Sequence, residues 1–299
     1  MKILVLHQPF PMGNYRLMPY IAYRLQKEGH EVMLAKQMNG SRLDQETLEV
    51  IQDAKFDAAY FEMLDRETFS LIEQSGISKK VLCYASKGIF NTFEDILNYK
   101  DQYYTAIITN SKEMSEIFTK AFITNEFFEY YPAPIFEQEI EKVEKYKVPI
   151  AYLGGGFQRL TKPEYQVESE VIYTNPKVTK FGNGWANVEN YRGILPPEDI
   201  GRLYRSAEVC LGTIEPSQRA KGMVNNRYSE MFRSGATVSS IKYDNVDFYG
   251  GEEFISFVST KEELDQIKPI TEEQRQRQIE FIREKEEAFF SSLNKLLSL

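Results

Sequence analysis

The chain has 299 residues, 42% of them apolar and 27% charged. That mix suits a folded protein of two domains and excludes a disordered, collagen-like or coiled-coil chain. Its 36 basic and 44 acidic side chains leave a net charge of −8, which opposes general attraction to nucleic acid or anionic lipid, so an anionic ligand must be met by a local basic cluster.

Met1–Leu6 (MKILVL) reads as a short buried strand, Tyr15–Glu28 as a helix and Glu31–Ala35 (EVMLA) as a second strand, together a βαβ unit. Gly29 suits the position after that helix, and His30, on the turn, reads as structural. Strands at Ala58–Met63, Lys80–Ala85, Thr105–Thr109 and Glu126–Tyr131 alternate with helix-compatible stretches, which predicts a parallel sheet covered on both faces. Phe127-Phe128-Glu129-Tyr130-Tyr131 is taken as core. Pro132-Ala133-Pro134 ends this series, and Gln138–Lys147 is a charged connector.

A second series opens at Val148–Leu153, followed by Gly154-Gly155-Gly156. Strands are expected at Val171–Tyr173, Val178–Phe181, Val209–Gly212, Thr237–Ile241 and Ile255–Val258, and helices at Pro197–Ser206, Asn226–Ser234 and Lys261–Ile267. Thr271–Leu297 is one amphipathic helix, N-capped by Thr271, with Phe281, Phe289, Phe290, Leu293 and Leu296 as its packing stripe. The expected domains are 1–136, a linker at 137–147, 148–270, and a C-terminal helix at 271–299 packing back across the domains. Cys83 and Cys210 lie in apolar runs without metal-like spacing and read as buried thiols. No apolar run reaches the roughly 18 residues of a membrane helix, and MKILVLHQPF lacks the marks of a leader, so a cytoplasmic protein without membrane insertion is expected.

Two doubly wound α/β domains in tandem leave a cleft at the carboxyl ends of their sheets, where such folds bind ligands. The loop Thr213–Asn226 (TIEPSQRAKGMVNN) and the helix after it bring Arg219, Lys221 and Arg227 beside a helix N-terminus, a combination sized for a diphosphate. Glu230 follows one turn later, where a carboxylate can accept from ribose hydroxyls. The alternative is an Arg227–Glu230 surface ion pair worth about 0.2–0.5 kcal/mol. Gly154–Gly156 with Arg159 could let backbone approach a phosphate, or form a flexible turn. It is not a dinucleotide fingerprint, because position 159 is Arg, and no Walker A pattern occurs.

The GHEV turn, FGNGW (Phe181–Trp185), YRGILPPEDIGRLYRSAEVCLG (Tyr191–Gly212) and NNRYSEMFRSGATVSS (Asn225–Ser240) resemble glycosyltransferases of the GT-B fold, closest to the spore-maturation CgeB-like branch. The resemblance is good over 150–258 and general over 1–135. It implies two Rossmann-like domains facing a central cleft, and transfer of a sugar from a nucleoside diphosphate donor, a UDP-sugar by expectation, without a bound metal or other cofactor. It also places the Tyr191-Arg192-Gly193-Ile194 loop at the base, Glu230 on the ribose, and Gly155, Arg159, Arg227 and the Asn225/Asn226 helix start on the diphosphate, with Lys221 a further candidate. Trp185 either stacks on the base or ribose, or packs in the core.

Many retaining members carry a second glutamate eight positions before the ribose-binding one. Here that position is Gly222, so the stereochemistry is open. An inverting enzyme needs a general base near the acceptor; His7 is best placed, with Glu62 and Asp65 as rivals, and Gly13 in the same loop as His7 either permits close ligand approach or serves the turn. The acceptor is a small molecule, glycan or protein, with modified DNA bases, as for some viral enzymes of this fold, disfavoured by the charge of −8. A non-catalytic nucleotide- or glycan-binding protein of the same fold is the competing class.

Overall fold

Strands that are apolar along their whole length, such as Ile3–Leu6, need cover on both faces, and these four residues are buried. The computed structural model describes residues 1–7, 16–36, 45–62, 75–84, 98, 104–156 and 159–299. They divide into two units, Met1–Glu129 with Glu287–Leu299, and Tyr130–Glu286.

The first unit contains β1 (Lys2–His7), α1 (Leu17–Lys27), β2 (Glu31–Lys36), α2 (Gln45–Ala54), β3 (Ala58–Phe61), β4 (Lys79–Tyr84), β5 (Ala106–Thr109), α3 (Lys112–Lys120) and β6 (Asn125–Phe127). The strands form one parallel sheet in the order β2-β1-β3-β4-β5-β6, so strand order reverses between β1 and β3. After α1, Gly29 adopts φ +89°, and His30 Nε2 lies 3.2 Å from Asn294 Oδ1, in keeping with a structural histidine. The final strand stops at Phe127, short of the expected Tyr131. Phe128 still donates its N–H to Thr109 O at 2.9 Å, and Phe128, Tyr130 and Tyr131 are buried from irregular chain. The aromatic run is core, but two consecutive buried tyrosines do not follow the alternation of a strand.

The second unit contains β7 (Ile150–Leu153), β8 (Val178–Phe181), α4 (Ile200–Ser206), β9 (Val209–Gly212), α5 (Asn226–Arg233), β10 (Val238–Ile241), β11 (Ile255–Val258) and the start of α6 (Glu272–Ser298). Its parallel sheet has the order β11-β10-β9-β7-β8 and reverses between β7 and β9. Residues 137–147 belong to this unit: Tyr146 donates its hydroxyl to Asp199 Oδ2 at 2.5 Å and Lys145 Nζ to the same oxygen at 2.9 Å. The expected strand Val171–Tyr173 is instead part of a helical turn, Ser169–Tyr173, with all three residues buried. A three-residue apolar run does not distinguish a buried strand from a buried helical turn, and here the helical stretch begins upstream at Gln166. Thr271 caps α6 by accepting the Gln274 N–H at 3.2 Å, and Phe289, Phe290, Leu293 and Leu296 are buried in the first unit. Cys83 and Cys210 are free and buried.

Candidate functional site

The switch point of the second sheet lies at the carboxyl ends of β7 and β9, and the glycine run after β7 forms its floor. The run is tightly packed. Gly154 donates its N–H to Phe181 O at 3.0 Å, and Gly156 donates to Asn183 O at 2.8 Å. A Cβ on Gly156 would fall 2.5 Å from Gly184 O and 2.6 Å from Trp185 Cδ2, while Gly182, at φ +113°, passes so close that its Cβ would lie 2.4 Å from Gly154 O. Gly154, Gly156 and Gly182 lie where two backbone segments approach closely, a packed arrangement rather than a flexible turn. Gly155 sits between the two packed positions, half-buried.

Trp185 explains the packing. It is 0% exposed, its Nε1 donates to Gly154 O at 2.6 Å, and its ring meets those of Tyr152 and Tyr173 with centroids 5.8 and 5.2 Å away. A side chain without exposed surface cannot stack on a nucleotide, so the core alternative is correct for Trp185: it holds the glycine floor from behind.

Two guanidinium groups converge on Tyr152. Arg159 Nη1 donates to Tyr152 Oη at 2.6 Å, and Arg227 lies over the Tyr152 ring with its Cζ 5.4 Å from the centroid. Burial pushes the Tyr152 hydroxyl up, and the charges of Arg159 and Arg227 more than offset this, leaving it below its ordinary value. Arg159 Nη2 also pairs with Glu215 Oε1 at 2.8 Å. Arg227 Nη1 donates to Thr213 Oγ1 at 3.1 Å, and that hydroxyl is 3.2 Å from Tyr152 Oη. Tyr152, Thr213, Arg159 and Arg227 thus form one cationic cluster at the carboxyl edge of β7 and β9.

The start of α5 closes one side of this cluster. Asn225 is its N-cap: Oδ1 accepts the Arg227 N–H at 3.2 Å and Nδ2 donates to Thr213 O at 2.7 Å. Its carboxamide is committed to that cap, and the Tyr228 N–H donates to Asn225 O at 3.3 Å. Glu230 accepts from Asn226 Nδ2 at 3.0 Å, and Arg227 is turned to Thr213, so the surface ion pair weighed from sequence gives way to two separate roles. Arg219 points elsewhere, onto buried Glu168 at 3.0 Å and the Glu164 carbonyl at 2.7 Å, as part of the structural core. Lys221 is half-buried on the same loop, and Gly222 adopts φ +63°, a conformation that a glutamate there would not readily share.

The Asn190–Gly193 segment runs beside β8 like an added strand: Lys180 N–H donates to Asn190 O, Arg192 N–H to Lys180 O, and Gly182 N–H to Gly193 O, each at 2.9 Å. Tyr191 bridges to Lys180. Lys180 is buried, its Nζ donating to Asn175 O at 2.6 Å and to Glu189 O, just ahead of the segment, at 3.3 Å; burial lowers its amine to about 8. Gly193, at φ +90°, then presents Ile194 at 67% exposure beside the carboxyl end of β8.

In the first unit the pairing of Leu6 with Phe61 brings the next residues, His7 and Glu62, to the carboxyl edge of adjacent strands. The His7 side chain, Gly13 and Asp65 lie outside the described residues. Glu62 is half-buried, and burial raises its carboxyl from 4.5 to about 7. Because the folded value exceeds the unfolded one, the carboxyl is without cost below about pH 4.5, costs stability progressively as pH rises from about 4.5 to about 7, and carries its full cost above that. Glu62→Gln should therefore melt with the wild type at pH 4.5 and be more stable by about 2 kcal/mol at pH 8. Equal melting at pH 8 would show that the carboxyl is well solvated.

Residues 165–292 match the glycosyl transferase-like family. No curated protein sequence matches the chain. Among solved structures, an alpha-glucosyltransferase in complex with UDP and a 13-mer DNA containing an HMU base matches over 100% of both chains, at 10% identity and a TM-score of 0.60. A glycosyltransferase from Rickettsia africae ESF-5 matches over 99% of this chain and 96% of its own, at 14% identity and a TM-score of 0.58. A trehalose-6-phosphate structure from E. coli bound with UDP-2-fluoro glucose matches over 100% and 99%, at 9% identity and a TM-score of 0.54. The chain has the GT-B glycosyltransferase fold. Its 6-stranded and 5-stranded parallel sheets are the two Rossmann-like halves of GT-B, and the residues from 165 onward that carry the family match include α5 and the Thr213 loop. No described helix is long and apolar enough to cross a membrane.

The sequence reading missed Tyr152, Tyr173, Thr213 and Glu215. Tyr152 alone had a signal, as the last buried residue of the strand before the glycine run; Thr213 and Glu215 become visible only when β7 and β9 are neighbours, and Tyr173 only when its helical turn packs on Tyr152.

Proposed function

We propose that the chain transfers a sugar from a nucleoside diphosphate sugar, a UDP-sugar, to an acceptor, with the Tyr130–Glu286 unit holding the donor. The observation that carries this reading is the convergence of Arg159 and Arg227 on Tyr152 at the switch point, beside the start of α5 and with Glu230 one turn along it. Fixed cations and a helix start placed there stabilise the charge that develops on a departing diphosphate, which is the part a metal plays in other transferases. Ile194 and the Tyr191–Gly193 backbone supply an exposed edge for the base, and Glu230 accepts from the ribose. The UDP-bound relatives support the choice of nucleotide.

The general base on the acceptor side is proposed among His7, Glu62 and Asp65. Glu62 is favoured because a carboxyl near 7 is matched to taking a proton at neutral pH. The four motifs quoted from the sequence support a CgeB-like branch. Net charge opposes a DNA acceptor such as the one in the alpha-glucosyltransferase complex.

The test is nucleoside diphosphate release across a panel of nucleotide sugars. Release with a UDP-sugar supports the reading; no release and no thermal shift with any nucleotide overturns it. Glu230→Ala should weaken UDP by about tenfold or more, the range for a hydrogen bond to a charged group, while leaving pyrophosphate affinity unchanged. Equal loss of both ligands would refute the ribose role.

A further inference from the structure

The second unit has a cavity of about 310 Å³ at the opposite edge of the same sheet. It is lined by the residues that enter the central strands: Lys147 ahead of β7, Ala207 and Glu208 ahead of β9, and Thr237 ahead of β10, with Arg205 and Arg275 beside them. Strand β9 has four residues, so this edge lies about 13 Å from the carboxyl edge. The two sites do not overlap.

The charges here do not balance. Arg205 and Arg275 share a single carboxylate, Glu272, at 3.8 Å and 3.1 Å, and both guanidinium side chains are largely covered, at 20% and 11% exposure, whereas Glu272 is 64% exposed. Arg275 spends Nη1 on the Gly235 carbonyl. Arg205 Nη1 is buried without a hydrogen-bond partner. Burial and the neighbouring Arg275 both act against the Arg205 charge, and Glu272 offsets this only in part. Lys142 and Lys147 add two cations to the lining and Glu144 and Glu208 two acids, all four exposed, with Lys147 Nζ 3.8 Å from Glu144 Oε1. Two covered cations against one wet carboxylate leave about one charge uncompensated, and a buried donor left unmade is costly.

We infer that this cavity binds a phosphoryl group, carried by free phosphate or by a small phosphorylated sugar, with Arg205 and Arg275 gripping the anion and Lys147 closing over it. The volume suits a monophosphorylated molecule of hexose size and is at the lower limit for small-molecule sites, too small for a whole nucleotide sugar. Glu208 and Glu144 at the lining would accept from sugar hydroxyls. The position also gives the ligand a lever: Arg275 holds the carbonyl of Gly235, just past the carboxyl end of α5, whose amino end bears Arg227. The site is independent of the function proposed above.

Calorimetric titration of the full chain carrying Arg227→Ala, with inorganic phosphate and with glucose 1-phosphate as probes, tests this without interference from the opposite edge. Binding of either probe is expected, and adding Arg205→Gln should weaken it at least about tenfold. Lys147, at 61% exposure, can be changed without disturbing the core, so Lys147→Ala should weaken binding while leaving melting unchanged, and it carries the test if Arg205→Gln does not fold. Equal affinity for the two probes identifies free phosphate as the occupant; tighter glucose 1-phosphate identifies a sugar phosphate. No binding of either probe, or binding undiminished by the substitutions, overturns the inference.

Discussion

Trp185→Ala is expected to lower stability by about 3–5 kcal/mol, the range for truncating a buried tryptophan, and to weaken nucleotide binding without touching the nucleotide. The indole fills the space behind Gly156 and completes the ring cluster with Tyr152 and Tyr173, and its Nε1 is the donor that fixes the Gly154 carbonyl. Removing it leaves a cavity directly beneath the glycine floor, and Tyr152, which anchors Arg159 and lies under Arg227, loses one of its walls. Trp185→Phe separates the two contributions. It keeps most of the volume and loses the hydrogen bond, for an expected cost of about 1–3 kcal/mol. Chemical denaturation of the three proteins measures both steps. An alanine variant as stable as the wild type would mean that the floor does not depend on this ring.

Val178–Phe181, Val209–Gly212 and Ile255–Val258 have the bounds that the sequence suggests, the middle one as a four-residue run buried throughout and the outer two from the apolar residues that open and close them. The long last helix was legible from its cap and its stripe, because Thr271 and the phenylalanines obey local rules that tertiary structure does not override. Val171–Tyr173 was not, since a run of three apolar residues carries no period. At the candidate site, Arg159 and Arg227 stand out in the sequence as cations beside glycines or a helix start, and the structure brings both to Tyr152. Tyr152 and Thr213 do not, because a buried tyrosine and a threonine after a strand are ordinary residues until the sheet brings positions 152, 159, 213 and 227 together. Arg219 shows the converse error. By sequence it is as good a diphosphate ligand as Arg227, yet it is held by a glutamate 51 positions earlier that nothing local reveals.

Arg227→Ala should weaken UDP by about 1.5–3 kcal/mol, or roughly 10- to 150-fold in Kd, because it removes a charge-assisted donor from a covered site. The fold should survive the change. The Thr213 carbonyl keeps its 2.7 Å bond from Asn225 Nδ2, the Asn225 cap depends on the Arg227 backbone N–H and not on its side chain, and Tyr152 Oη retains Arg159. Loss of affinity with little change in melting is therefore the signature of a ligand-facing cation, and loss of both is that of a structural one. Arg227→Lys should fall between the two, since an ammonium restores the charge but not the forked donor geometry that reaches Thr213 and the ligand together. Pyrophosphate should follow UDP through this series, in contrast to Glu230→Ala, because the guanidinium acts on the phosphates that both ligands share. UDP affinity unchanged by Arg227→Ala would remove the cluster at the β7/β9 edge from donor binding altogether.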